Sequence, residues 1–182
     1  MTARSVPASG DEPSLSLAEE VCLTLISIQP QHGWSIVKEL APTSELGRIW
    51  SLSRPLTYRA VDTLELKGMI VRGEPEVTKG PARVSLRSTP LGRRRVQLWL
   101  NTPVDHVRDL RTTFLLKATL LRRAGGDVTA LLQAQERTLL PVIESLTTKP
   151  PDYTDLADLW RRQAASAAQR FFDDMRRGLP AS

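Results

Sequence analysis

Residues 53–70 read SRPLTYRAVDTLELKGMI, and the fold follows from them. Ser53 followed by Pro55 is a helix-start pattern, because proline suits the first turn, where a backbone N–H has no partner to lose. At 3.6 residues per turn, Thr57, Ala60, Val61, Leu64 and Gly68 fall on one side. Arg59, Asp62 and Leu66 then point outward, with Arg54, Tyr58 and Thr63 at the flanks. Gly68 ends the helix. Upstream, Ser14 or Ser16 can cap a helix reaching about Gln29, with Leu17, Val21, Leu25 and Ile28 as its apolar stripe. Pro30 stops it. His32 and Gly33 form a turn, Trp34 to Leu40 fit a second short helix, and Pro42 to Leu52 are expected to be irregular. Downstream, Met69 to Gly73 and Arg83 to Ser88 have strand character, and the loop Glu74 to Ala82 joins them. Thr89 and Pro90 open a further helix to about Leu100. Three helices, a hairpin and a helix, in that order, predict a mainly α protein with an N-terminal winged helix-turn-helix and a two-stranded wing.

After Asn101 to Pro103, three more helical stretches are expected: Val104 to Ala124, Asp127 to Leu146, and Asp152 to Arg177. Gly125-Gly126 and Pro150-Pro151 separate them, and Pro141 should kink or split the second. In the third, Leu156, Trp160, Ala164, Ala167 and Phe171 form one stripe. About 80 residues of helix make a thin core unaided, so this part is expected to associate with a second copy. The division is therefore 1–13 as a flexible tail, 14–101 as the winged helix, and 102–182 as a helical dimerisation domain.

Charge points to the same part of the chain. The net +5 comes from twenty arginines and five lysines against twenty acids. Residues 48–95 hold eleven basic and four acidic side chains, a local +7 that leaves the remainder at −2. Arginine's planar fork matches phosphate and guanine edges, so the segment suits double-stranded DNA. A helix of this length, about 24 Å, fits the major groove, which is roughly 12 Å wide. The candidate DNA contacts are Arg54 and Arg59 for base edges or phosphates, Tyr58 and Thr57 for phosphate, and Ser53 at the helix start. Lys79 and Arg83 in the wing would reach backbone or minor groove. Asp62 is awkward there, since it repels phosphate unless it is paired. Two structural alternatives stand beside this assignment: Tyr58 packed against the hairpin, and Arg59 paired with Asp62.

Other chemistries find little support. The single Cys22 lies in an apolar run, and with only His32 and His106 no metal-ligand spacing arises. No phosphate loop, nucleophile elbow or paired carboxylates occur, so neither enzyme activity nor a cofactor is expected. No apolar run is long enough to span a membrane, and the first thirteen residues lack a secretory core, so a cytoplasmic protein is expected.

The motifs His32-Gly33-Trp34, Trp50-x-Leu52-Ser53-x-Pro55-x-Thr57-Tyr58-Arg59-Ala60-Val61-x-x-Leu64-Glu65-x-x-Gly68, Gly80-Pro81-Ala82-Arg83 and Thr89-Pro90-x-Gly92-Arg93 together resemble the PadR family of transcriptional regulators. The resemblance covers residues 15–100, and the helical tail looks like that of the longer subtype. Thr57, Thr63 and Leu86-Arg87-Ser88 depart from the family pattern. The resemblance implies a homodimer on a pseudo-palindromic operator, repression by occluding polymerase, and release by a small aromatic effector. Trp99, near the domain junction, is the candidate stacking residue for such an effector, although its spacing with Val96 and Leu100 equally fits a core position. A winged-helix protein-interaction module without specific DNA binding is the competing function.

Overall fold

The structure is a computed structural model that describes residues 14–76, 83–148, 150 and 152–178. Helix α1, Leu17–Ile28, starts at a capping box in which Ser16 Oγ accepts from the Glu19 amide and the Glu19 carboxylate accepts from the Ser16 amide. Its residues Val21 to Ile26 are buried against the rest of the fold. A two-residue strand β1, Gln31–His32, leads directly into α2, Gly33–Glu39.

The irregular stretch expected after Pro42 contains a short helix, α3, Glu45–Ile49. Its nucleus is Ser44, whose hydroxyl accepts from the Gly47 amide at 2.9 Å and donates to the Glu39 carbonyl at 2.6 Å. The cap thus ties α3 to the end of α2. Helix α4, Arg54–Leu66, follows with Ser53 as N-cap residue and Pro55 in its first turn. Thr57, Ala60, Val61 and Leu64 are its buried side chains, as the spacing predicts. Gly68 at φ +67° reverses the chain, a conformation that a side chain would strain.

Strands β2, Ile70–Glu76, and β3, Arg83–Ser88, form the hairpin, and β1 adds to the other side of β3 in an antiparallel sheet of order β1-β3-β2. The pairing runs from Ile70 opposite Ser88 to Glu76 opposite Arg83, with a register shift between Arg72 and Pro75. Helix α5, Pro90–Asn101, starts as expected at Thr89, whose hydroxyl accepts from the Gly92 amide.

The stretch 104–124 is not one helix. A 3-10 turn at Val107–Asp109 and a π turn at Leu110–Phe114 precede α6, Leu115–Arg123. Helix α7, Val128–Thr147, continues through Pro141 without splitting. Pro141 and Arg137 are exposed, so the Arg137 carbonyl that loses its helical partner can bond water. Helix α8, Leu156–Gly178, packs along α7. Its buried face is Ala165, Ala168 and Phe172, displaced from the expected stripe: Phe171 is half-buried, and Leu156 and Trp160 are 78% and 72% exposed. The alanine-bearing stripe faces the core, and the stripe with the larger side chains turns to solvent.

One hydrophobic cluster runs from Val21 in α1 to Phe172 in α8. Helix α6 joins its two ends, contacting α1, α3 and α5 on one side and α7 on the other. Buried Gln135 fixes the connection by exchanging two hydrogen bonds with the Val104 backbone, at 2.7 and 2.8 Å.

Candidate nucleic-acid interface

The outward side of α4 carries Arg54 and Arg59, both exposed, and Ser53 is exposed at its start. The Ser53 side chain makes no capping bond. Instead its carbonyl accepts from the Thr57 amide and hydroxyl, at 2.9 and 3.0 Å. The reading of Thr57 as a phosphate contact is therefore corrected: Thr57 is fully buried and its hydroxyl is engaged within the helix. Inward position, not polarity, decides its role.

Tyr58 is half-buried, and its ring lies against the turn that opens α2. A Cβ added at Gly33 would lie 2.9 Å from Tyr58 Cε1, so Gly33 is the seat of the ring. The Arg54 guanidinium lies 5.7 Å from the Tyr58 ring centre and 5.5 Å from that of Trp34. The Lys38 ammonium lies 5.8 Å from the Trp34 ring centre. Trp34 itself is 50% exposed. Sequence reading missed Trp34 and Lys38 as parts of this surface, although the i, i+4 spacing of an aromatic and a cation on α2 was there to be read.

Asp62 does not pair with Arg59. Arg72 of β2 reaches across to Asp62 and Glu65, the latter at 2.7 Å. The Glu65 bond, with Asp62 adding to it, holds the Arg72 guanidinium above its ordinary pKa. The same compensation recurs throughout this half of the molecule. Glu19 pairs with Lys67, Glu20 with Arg95, Glu39 with Arg123, and Glu45 with Arg122 and Arg123. The Arg123 hydrogen bond is the main reason the Glu45 carboxyl titrates below its ordinary range. Every described carboxylate from α1 through α4 thus has a cationic partner. Lys38, Arg48, Arg54 and Arg59 are exposed and have no carboxylate partner among the described residues. These four cations leave uncompensated positive charge where α2, α3 and α4 meet solvent.

In the wing, Arg83 opens β3, its backbone paired opposite Glu76. Lys79 lies outside the described residues. The wing is anchored to the turn before α2 by a 3.1 Å contact between His32 Nδ1 and the Val84 carbonyl.

Trp99, the candidate effector platform, takes a core position. Trp99 is 9% exposed, and the Lys117 ammonium sits 5.3 Å from its ring centre. Lys117 is buried too, donates to the Thr102 carbonyl at 2.6 Å, and is pushed down to about 8 by that burial. An open cleft between α3 and α6, lined by Glu45, Arg48, Ile49, Arg111, Leu115 and Thr119, does not reach Trp99. Among the described residues no group of three or more His, Cys, Asp or Glu side chains could hold a metal ion, and no helix is long and apolar enough to cross a membrane.

No family model matches the sequence, and no curated protein matches it. The chain is similar in fold to the crystal structure of Bacillus subtilis PadR in complex with operator DNA, with a TM-score of 0.48 and 18% sequence identity over 90% of this chain and 94% of that one.

Proposed function

We propose that the chain is a sequence-specific DNA-binding transcriptional regulator, and not an enzyme, that places α4 in the major groove of double-stranded DNA. One observation carries the reading: each carboxylate of α1 to α4 is paired with a cation from within, while Arg54 and Arg59 stand exposed on α4 without a carboxylate partner among the described residues. A surface arranged that way favours a polyanion. Arg54 and Arg59 take base edges or phosphates, Ser53 and Tyr58 take phosphate, and Lys79 and Arg83 of the wing take the backbone beside the groove.

The helices from 102 onward serve as the dimerisation part and 14–101 as the DNA-binding part. The exposed Leu156 and Trp160 on α8 support this, because large apolar side chains left in water favour burial against a second copy. A dimer would present two α4 helices to half-sites about 34–36 Å apart and would repress by blocking polymerase in the cytoplasm. Release by a small molecule requires a ligand that binds the DNA-competent and incompetent dimers unequally.

The second reading, a protein-interaction module, has its own support in Leu56, Leu66 and Val71, which are 49%, 88% and 51% exposed on α4 and β2. Fluorescence anisotropy separates the two. The protein is titrated into a labelled duplex taken from upstream of its own coding region, starting at about 50 mM salt. DNA recognition gives binding that weakens steeply with salt and is lost or strongly reduced in Arg59→Ala. Absence of binding at low salt favours the interaction module.

A further inference from the structure

We propose that Trp34 is a positioning residue for DNA recognition, holding the Arg54 guanidinium at the start of α4 against the Tyr58 ring while Lys38 takes the adjoining phosphate. The inference rests on the DNA-binding reading and assigns a role to the turn His32-Gly33-Trp34, which that reading leaves without one.

The turn touches both halves of the DNA-facing surface. His32 contacts the wing through the Val84 carbonyl, Gly33 admits the Tyr58 ring, and Trp34 lies beside Arg54. An unrestrained arginine on a helix surface samples many rotamers, and binding must freeze them at a cost of about 0.5–1.5 kcal/mol for a flexible side chain. Arg54 has no carboxylate to freeze it. Its guanidinium is held by two aromatic faces, 5.5 Å from Trp34 and 5.7 Å from Tyr58. Aromatic faces restrain a guanidinium through its charge and its flat shape and leave its in-plane N–H donors free for an acceptor edge. An ion pair would instead occupy those donors. Trp34 keeps half its surface in solvent although it is the largest side-chain type, so its exposure is not explained by the core. Lys38, one turn further along α2, adds a flexible point charge 5.8 Å from the same ring.

The test compares Trp34→Ala, Trp34→Phe and Lys38→Ala with wild type. In the free protein, 15N relaxation of the Arg54 Nε–H reports its order directly. In wild type and Trp34→Phe it should be restricted, and in Trp34→Ala it should be as mobile as an unrestrained surface arginine. Anisotropy is then measured on a duplex that the wild-type protein selects from a randomised pool, and on single-base-pair variants of it. Trp34→Ala should bind about 10-fold more weakly, in line with about 1.4 kcal/mol. It should lose discrimination at the position where Arg54→Ala loses it, and keep the wild-type salt slope because no charge is removed. Lys38→Ala should keep discrimination and lower the slope by about 0.9 per copy on the DNA. Trp34→Phe should recover most of the discrimination. Equal Arg54 order in wild type and Trp34→Ala, or undiminished discrimination in Trp34→Ala, overturns the proposal. Failure of the wild-type protein to select any duplex overturns the DNA-binding reading instead, and the Arg54 relaxation still decides whether Trp34 positions it.

Discussion

Replacing Arg72 with alanine should weaken DNA binding even though Arg72 is not itself assigned to touch DNA. Arg72, Asp62 and Glu65 together carry −1, and they lie on the outer side of α4 and the adjoining strand. Without the guanidinium that group carries −2, and both carboxylates are freed to face phosphate. At about 8 Å, one charge acting on a phosphate is worth about 0.5 kcal/mol in water and about 2 kcal/mol at the effective dielectric near a protein surface. A mid-range value of about 1 kcal/mol per half-site gives about fivefold, and about 30-fold for a dimer occupying two. Folding should scarcely respond, because ion pairs this exposed contribute about 0–1 kcal/mol. Anisotropy at fixed salt, with urea unfolding alongside, measures both effects. The decisive variant is the triple change Arg72→Ala, Asp62→Asn, Glu65→Gln, in which the group carries no charge and binding should be at least as tight as wild type. If the triple variant stays as weak as Arg72→Ala, the guanidinium contacts DNA directly and the masking argument is wrong.

Three further outcomes test the packing behind the interface. Lys117 is held down near about 8 by burial, below its ordinary 10.5, so its contribution to stability is present above 10.5 and is lost as pH falls through about 8. Urea unfolding should therefore show wild type gaining on Lys117→Met between pH 8 and 10.5, and parallel curves would contradict the burial. Cys22 is fully buried with its thiol pushed up to about 12, so an aromatic disulfide reagent should modify it only on unfolding, and rapid labelling of the native protein would refute that environment. A Cβ at Gly92 would fall 2.2 Å from the Met69 carbonyl oxygen, so Gly92→Ala should destabilise by about 3 kcal/mol, whereas Gly178→Ala, with open space around it, should leave the melting temperature unchanged.

What could be read from the sequence was set by local rules. The inward face of α4, the Pro55 and Pro90 helix starts and the β2–β3 hairpin all follow from spacing and turn chemistry within a few residues. Helix α3 escaped because five residues are too few to show a period, although Ser44-Glu45 carries its capping signal. Helix α8 offers two stripes side by side, and only packing against α7 shows that the alanine-rich one is buried. Thr57 was misassigned although its spacing already put it on the inward face, where its hydroxyl donates to the Ser53 carbonyl one turn back. The ion pairs that define the interface's electrostatics join residues far apart in sequence, Glu45 with Arg123 for instance, and no spacing rule exposes them. The same distance hid Trp34 behind Arg54.

The central claim is that the outward side of α4 meets the duplex. Side-chain 15N–1H spectra of the arginines, recorded while the selected duplex is added, test it most directly. The Nε–H signals of Arg54 and Arg59 should shift in step with binding, and those of Arg137, Arg161 and Arg170 on α7 and α8 should stay in place. Shifts confined to the α7 and α8 arginines, with Arg54 and Arg59 unmoved at saturation, would contradict it.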